Sequence, residues 1–112
     1  MLRNSGLSSR QILGVMIERG TGFPTYYMHS VPIIEKFNGE TVWEGIVEVY
    51  RVHSQPAHYD AYGWVGTNAR GEPDYVTIMN PSITGPLVAL RAWLAQEARK
   101  KSSTLLHQWQ WR

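Results

Sequence analysis

The chain has 112 residues, 43% of them apolar and 18% charged, with a net charge of +2 and no cysteine. That length matches one ordinary domain of about 100–150 residues, and the apolar share favours a packed core over disorder. Disulfides, thiolate metal sites and a thiol nucleophile are excluded, and no apolar run approaches the ~20 residues of a membrane span.

In chain order, Ser8-Ser9-Arg10-Gln11 matches a capping box, in which a serine hydroxyl and a glutamine amide satisfy free amides at a helix start. A short helix is expected over 8–19, with Ile12, Met16 and Arg19, beside Leu13 and Ile17, on one face and Gly20 and Gly22 ending it; Gly14 and the β-branched Val15 and Ile17 make a strand the alternative. Arg10, Glu18 and Arg19 bracket this run and no small-residue cleavage site follows, so a signal peptide is not expected. The stretch "FPTYYMHSVPII" reads as extended, and Pro24 and Pro32 place it at a sheet edge.

Asn38-Gly39 is a strong hairpin signal, because both residues tolerate positive φ. The clearest strand follows at 42–52, with Trp43, Val47 and Val49 on one face and Glu44, Ile46, Glu48 and Tyr50 on the other. Pro56 interrupts the pattern, "HYDAYGWV" (58–65) restarts it, and "YVTIM" (75–79) supplies a fourth strand after a turn-rich segment. The last helix is expected over 85–101, with Thr84 or Gly85 at its cap and Pro86 in its first turn. The order predicts one α+β domain over 1–103. It comprises a short N-terminal helix, a four-stranded antiparallel meander and a long C-terminal helix, with the helices expected on one sheet face.

Beyond that, "TLLHQWQWR" (104–112) alternates Leu105, His107, Trp109 and Trp111 with Leu106, Gln108 and Gln110, which is a strand period. Two Trp and two Leu are unusual at a frayed end, so this tail is expected to be extended and to pair with an edge or a second copy.

Besides this tail, function could sit in three places. In "HSQPAHYDAYGW" (53–64), His58, Asp60, Tyr62 and Trp64 share one strand face, and His53 reaches them only if the turn folds back. The His-x4-His-x-Asp spacing matches no metal-binding pattern, and Pro56 forbids a helical pair. No metal and no cofactor is therefore assigned.

Arg91 falls inside the apolar arc of the last helix defined by Leu87, Leu90, Leu94 and Ala98. A buried guanidinium must snorkel or find a carboxylate, with Glu44, Glu48 and Asp60 as the available partners. Tyr27, His29, Tyr50, Tyr62 and Trp64 could share a wet sheet face and stack bases. Against this, the strands carry Glu35, Glu44, Glu48 and Asp60 beside only Lys36 and Arg51, and acidic strands repel phosphate. The basic run from Arg99 to Lys101 more simply complements a helix terminus.

No motif identifies a reaction. The expectation is a cytoplasmic, self-associating binding module, with a homodimer contact through Leu105, His107, Trp109 and Trp111. The alternative is a small-ligand protein or cofactor-independent enzyme whose pocket between the last helix and the sheet uses Trp43, His58, Asp60, Tyr62, Trp64 and Arg91. Nucleic acid is the remaining and least favoured partner, and a membrane is not expected.

Overall fold

The computed structural model describes the backbone of residues 7–110 and the side chains of residues 7–100. The element order is α1 (Ser9–Thr21), β1 (Thr25–Phe37), β2 (Glu40–Val52), β3 (Tyr59–Thr67), β4 (Pro73–Ile78) and α2 (Pro86–Gln110). The strands form one antiparallel sheet in the order β1-β2-β3-β4, the α+β meander expected from the turn signals.

Local chemistry sets the boundaries. The Ser8 hydroxyl accepts from the Gln11 amide at 3.2 Å and the Gln11 side chain accepts from the Ser8 amide at 2.9 Å, completing the capping box. Gly22, at φ 78°, ends α1 in a left-handed cap and donates its amide to the Glu18 carbonyl at 2.8 Å. At the first hairpin Asn38 (φ 53°) and Gly39 (φ 80°) both adopt positive φ, as a two-residue turn between twisted strands requires.

The helices lie on opposite faces of the sheet. On one face Val47, Val49, Tyr62 and Trp64 pack against Ala89 and Leu90 of α2. On the other, Tyr50, Val52 and Ala61 pack against Leu13 and Ile17 of α1. The expectation of both helices on one face is corrected here. Tyr50 and Val52 follow Glu48 on the same strand face, so one half of that face is charged and the other half is core. Gly63 permits the close approach of α1, since a Cβ there would lie 3.0 Å from Leu13 Cδ2 and 3.3 Å from the Val76 carbonyl oxygen.

On the α2 face three indoles fill the space between helix and sheet. Trp64 is buried and meets Trp43 and Trp93 edge-on, with centroids 5.9 and 5.7 Å apart. β2 pairs with β1 along nearly its whole length but with β3 only over Glu48–Val52, so the tip of the first hairpin projects past the sheet. One side of this arm is covered, through Val31, Ile33 and Trp43. On the other side Ile34 and Ile46 are 59% and 54% exposed.

α2 runs to Gln110, so the backbone of 104–110 is helical where an extended tail was expected. No Gly or Pro interrupts the chain after Pro86. A helix extends by its own i to i−4 bonds, whereas a strand needs an edge to pair with. The interface expected of Leu105, His107, Trp109 and Trp111 falls outside the described side chains.

Candidate functional site

The cavity of interest lies where the sheet extends past the first residues of α2. Strand pairing assembles its floor: His29 opposes Val49, Val49 opposes Tyr62, and Arg51 opposes Asp60. All five line a cavity of about 540 Å³. Its wall comes from the β4–α2 connection, with Pro81, Ile83, Thr84 and Gly85, and His58 also lines it, two residues before Asp60. That volume lies within the ~300–1,000 Å³ of small-molecule sites.

Two contacts hold the site's shape. The Gly85 amide donates to the Tyr62 hydroxyl at 2.6 Å, which ties the start of α2 to β3 and orients the phenol. Arg51 Nε donates to Asp60 Oδ1 at 2.6 Å, a cross-strand ion pair with both side chains partly exposed. Among the described residues no acceptor is hydrogen-bonded to the Arg51 Nη nitrogens or receives the Tyr62 hydroxyl proton.

The 53–64 stretch folds back on itself. Ser54 is buried and its hydroxyl donates to the Ala57 carbonyl, across a turn that contains the cis Gln55–Pro56 bond. The His53 amide donates to the Pro24 carbonyl at 2.9 Å, anchoring the end of β2 to the chain entering β1. The rings of His53 and His58 come together with centroids 4.3 Å apart and planes tilted by 32°, and Tyr26 meets His53 edge-on at 4.7 Å. Among the described residues no group of three or more His, Asp or Glu side chains is placed to hold a metal ion.

The pocket residues expected from the sequence therefore divide. His58, Asp60 and Tyr62 line one cavity. Trp43 and Trp64 belong to the hydrophobic layer beneath α2. Arg91 stands apart, 60% exposed, and binds Glu35 through both Nε (2.6 Å) and Nη2 (3.3 Å). Its partner is thus Glu35 rather than Glu44, Glu48 or Asp60. The packed stripe of α2 runs through Ala89, Leu90, Trp93 and Leu94, which turns Arg91 toward β1. Arg91 and Glu35 line a separate groove of about 650 Å³ with Phe37, Val42 and Leu94. The Glu35 carboxyl is held below its ordinary range, chiefly by the Arg91 hydrogen bond, with burial opposing and the guanidinium charge assisting.

Sequence reasoning did not place His29 or Arg51 in the site. The signal for Arg51 was its register opposite Asp60, which requires the hairpin alignment. His29 was hidden by the irregularity between Tyr27 and His29, which puts these two residues on opposite faces. Tyr27 instead joins Tyr50 in a cluster beside α1. There Arg10 lies 4.1 Å from the Tyr27 ring centroid, the Tyr27 and Ser30 hydroxyls are 2.6 Å apart, and Ser30 donates to the Glu48 carboxylate. Tyr50 donates to the Arg10 carbonyl at 2.5 Å, and burial, then the Glu48 charge, raises its hydroxyl pKa well above the usual value. These contacts knit α1 to β1 and β2.

Fold and site together define a small α+β domain with a lateral, donor-rich cavity. Comparison with known proteins finds no matching family model, no matching curated protein and no matching solved structure. No helix among the described residues is long and apolar enough to cross a membrane.

Proposed function

We propose that this protein is a binding module for a small molecule, with its site in the cavity between the start of α2 and the outer rows of the sheet. The observation that carries this reading is convergence: His29, Arg51, His58, Asp60 and Tyr62, drawn from three strands and a loop, share one cavity of about 540 Å³. Isolated polar residues at a turn need only solvent. A concave surface that gathers several orientable polar groups over an apolar floor is the usual form of a ligand site. The test is a fragment screen followed in ¹H–¹⁵N spectra of the full chain. Fragments are expected to perturb the Asp60, Tyr62 and Gly85 amides together, and His58→Ala is expected to weaken them without changing the dispersion of the spectrum. A screen in which no fragment perturbs those amides would defeat the reading.

Self-association is a second reading, favoured by the bare side of the first hairpin. Ile46 opposes Pro32, and Ile34 lies diagonally from it, so the two exposed isoleucines are neighbours. Light scattering across a concentration series checks this. A dimer that Ile34→Lys dissociates is expected, and a monomer at all concentrations would reject it.

A further inference from the structure

We infer that the ligand of this cavity carries an oxyanion head, a carboxylate or a phosphate, bound chiefly by Arg51; the inference rests on the small-molecule reading above. Among the described residues, two guanidinium groups pair with carboxylates on this side of the sheet. Arg91 offers Glu35 two nitrogens, Nε and Nη2, and the carboxylate answers with both oxygens. Arg51 offers Asp60 only Nε, against one oxygen. The Nη pair of Arg51, which carries most of the donors of the fork, has no hydrogen-bonded acceptor among the described residues, and Arg51 is one of the residues that line the cavity. Asp60 both neutralises Arg51 and holds it by the one nitrogen that a bidentate ligand approaching the Nη edge does not need.

The remaining polar groups point the same way. Tyr62 already accepts the Gly85 amide, so its own proton is left to donate. Thr84, His29 and His58, whose side chains can each donate, line the same cavity, and Asp60 is the one carboxylate among its described lining residues. Because that carboxylate is engaged by Arg51, a cationic ligand would find half an acceptor and compete with a guanidinium 2.6 Å away. α2 carries no acidic side chain in its first turn, so nothing there opposes a negative ligand. The floor, formed by Val49 and the Tyr62 ring with Ile83 above, suits a small apolar body behind the anionic head.

The experiment uses three probes that share a phenyl body, the near-isosteric benzoate and benzamide together with phenyl phosphate, titrated into the full chain and followed through the Arg51 Nε signal and the Asp60, Tyr62 and Gly85 amides. At least one oxyanion probe is expected to bind tenfold or more tightly than benzamide. The tighter of the two names the head group. Arg51→Met is expected to remove that preference while benzamide binding persists. Arg51→Lys, which keeps a charge near Asp60, is expected to retain part of it, and it serves as the reference if the methionine variant does not fold.

Benzamide binding as tightly as both anions, or a preference that survives Arg51→Met in a folded protein, would overturn the oxyanion inference while leaving a ligand cavity in place. Uncharged fragments that perturb the cavity amides where neither anion does would overturn it equally. If no probe or fragment perturbs those amides, the small-molecule reading falls and this inference falls with it.

Discussion

Trp64 is the largest fully buried side chain described, and its indole N–H has no hydrogen-bond partner among the described residues. An unsatisfied buried donor costs about 1–3 kcal/mol. Its edge-on contacts with Trp43 and Trp93 each return about 0.5–1.5 kcal/mol beyond burial, and the neighbouring ring faces are weak acceptors. The two effects are of similar size, so the residue's value there is its volume. Gly63, its neighbour in sequence, faces the other way and shows how tightly α1 is seated. Gly63→Ala sets a methyl 3.0 Å from Leu13 Cδ2 and 3.3 Å from a backbone oxygen that cannot swing aside. The expected loss is about 1–3 kcal/mol in urea unfolding. Truncating the neighbour should relieve part of it, so Gly63→Ala and Leu13→Ala together should cost less than their separate losses combined. Strict additivity would show that the two groups do not touch. Tyr62→Phe probes the other side of the sheet. It removes the acceptor of the Gly85 amide, and because Gly85 is only half-buried and water can substitute, a loss of about 1 kcal/mol is expected from the same measurement.

At the scale of elements, the Glu35–Arg91 pair fastens α2 to the first hairpin, and its effect depends on pH. Glu35 has a folded pKa below its ordinary value of 4.5. As pH falls the unfolded chain therefore takes up this proton first. The stabilisation is present above about 4.5 and is lost as pH falls through the lower folded value. Urea midpoints of the parent and Glu35→Gln should thus differ at neutral pH and converge in acid. A gap that widens on acidification would contradict the pairing. The carboxylate side chain is 17% exposed and the arginine 60%, so the gap is expected to be modest.

This pair also marks how far the sequence could be read. The capping box, the Asn38-Gly39 turn and the period-2 runs are short-range features, and they specified α1, the first hairpin and the meander order. Arg91 required more. Its position on α2 follows from ~100° per residue, but which residue it meets depends on the roll of the helix over the sheet, which large indoles at Trp43, Trp64 and Trp93 decide. The same holds for the cavity: His58, Asp60 and Tyr62 share a face by simple alternation, whereas Arg51 and His29 join them only through register and a strand irregularity. In the tail, strand-like alternation of Leu and Trp competed with an uninterrupted helix, and periodicity alone does not separate the two in a short run.

For the whole molecule, the consequence of placing one helix on each face is that a single sheet belongs to two hydrophobic clusters. Val47 and Val49 of β2 face α2, while Tyr50 and Val52 of the same strand face α1. β3 is shared likewise, with Tyr62 and Trp64 on one side and Ala61 on the other. Neither cluster can lose its strands without dismantling the other, so unfolding should be a single transition despite the absence of a common core. Leu13 and Leu90, both buried and on opposite faces, are the natural probes. Each Leu→Ala change should cost about 2–5 kcal/mol. The informative variant is Leu13→Ala, because Trp43, Trp64 and Trp93 all lie on the α2 side, across the sheet from the lesion. If the sheet couples the faces, tryptophan fluorescence and far-ultraviolet circular dichroism will report the same lowered urea midpoint. If α1 instead melts by itself, dichroism will show an early loss of helix while the tryptophan midpoint stays at its parent value, and the molecule would then be a sheet and α2 with a detachable first helix.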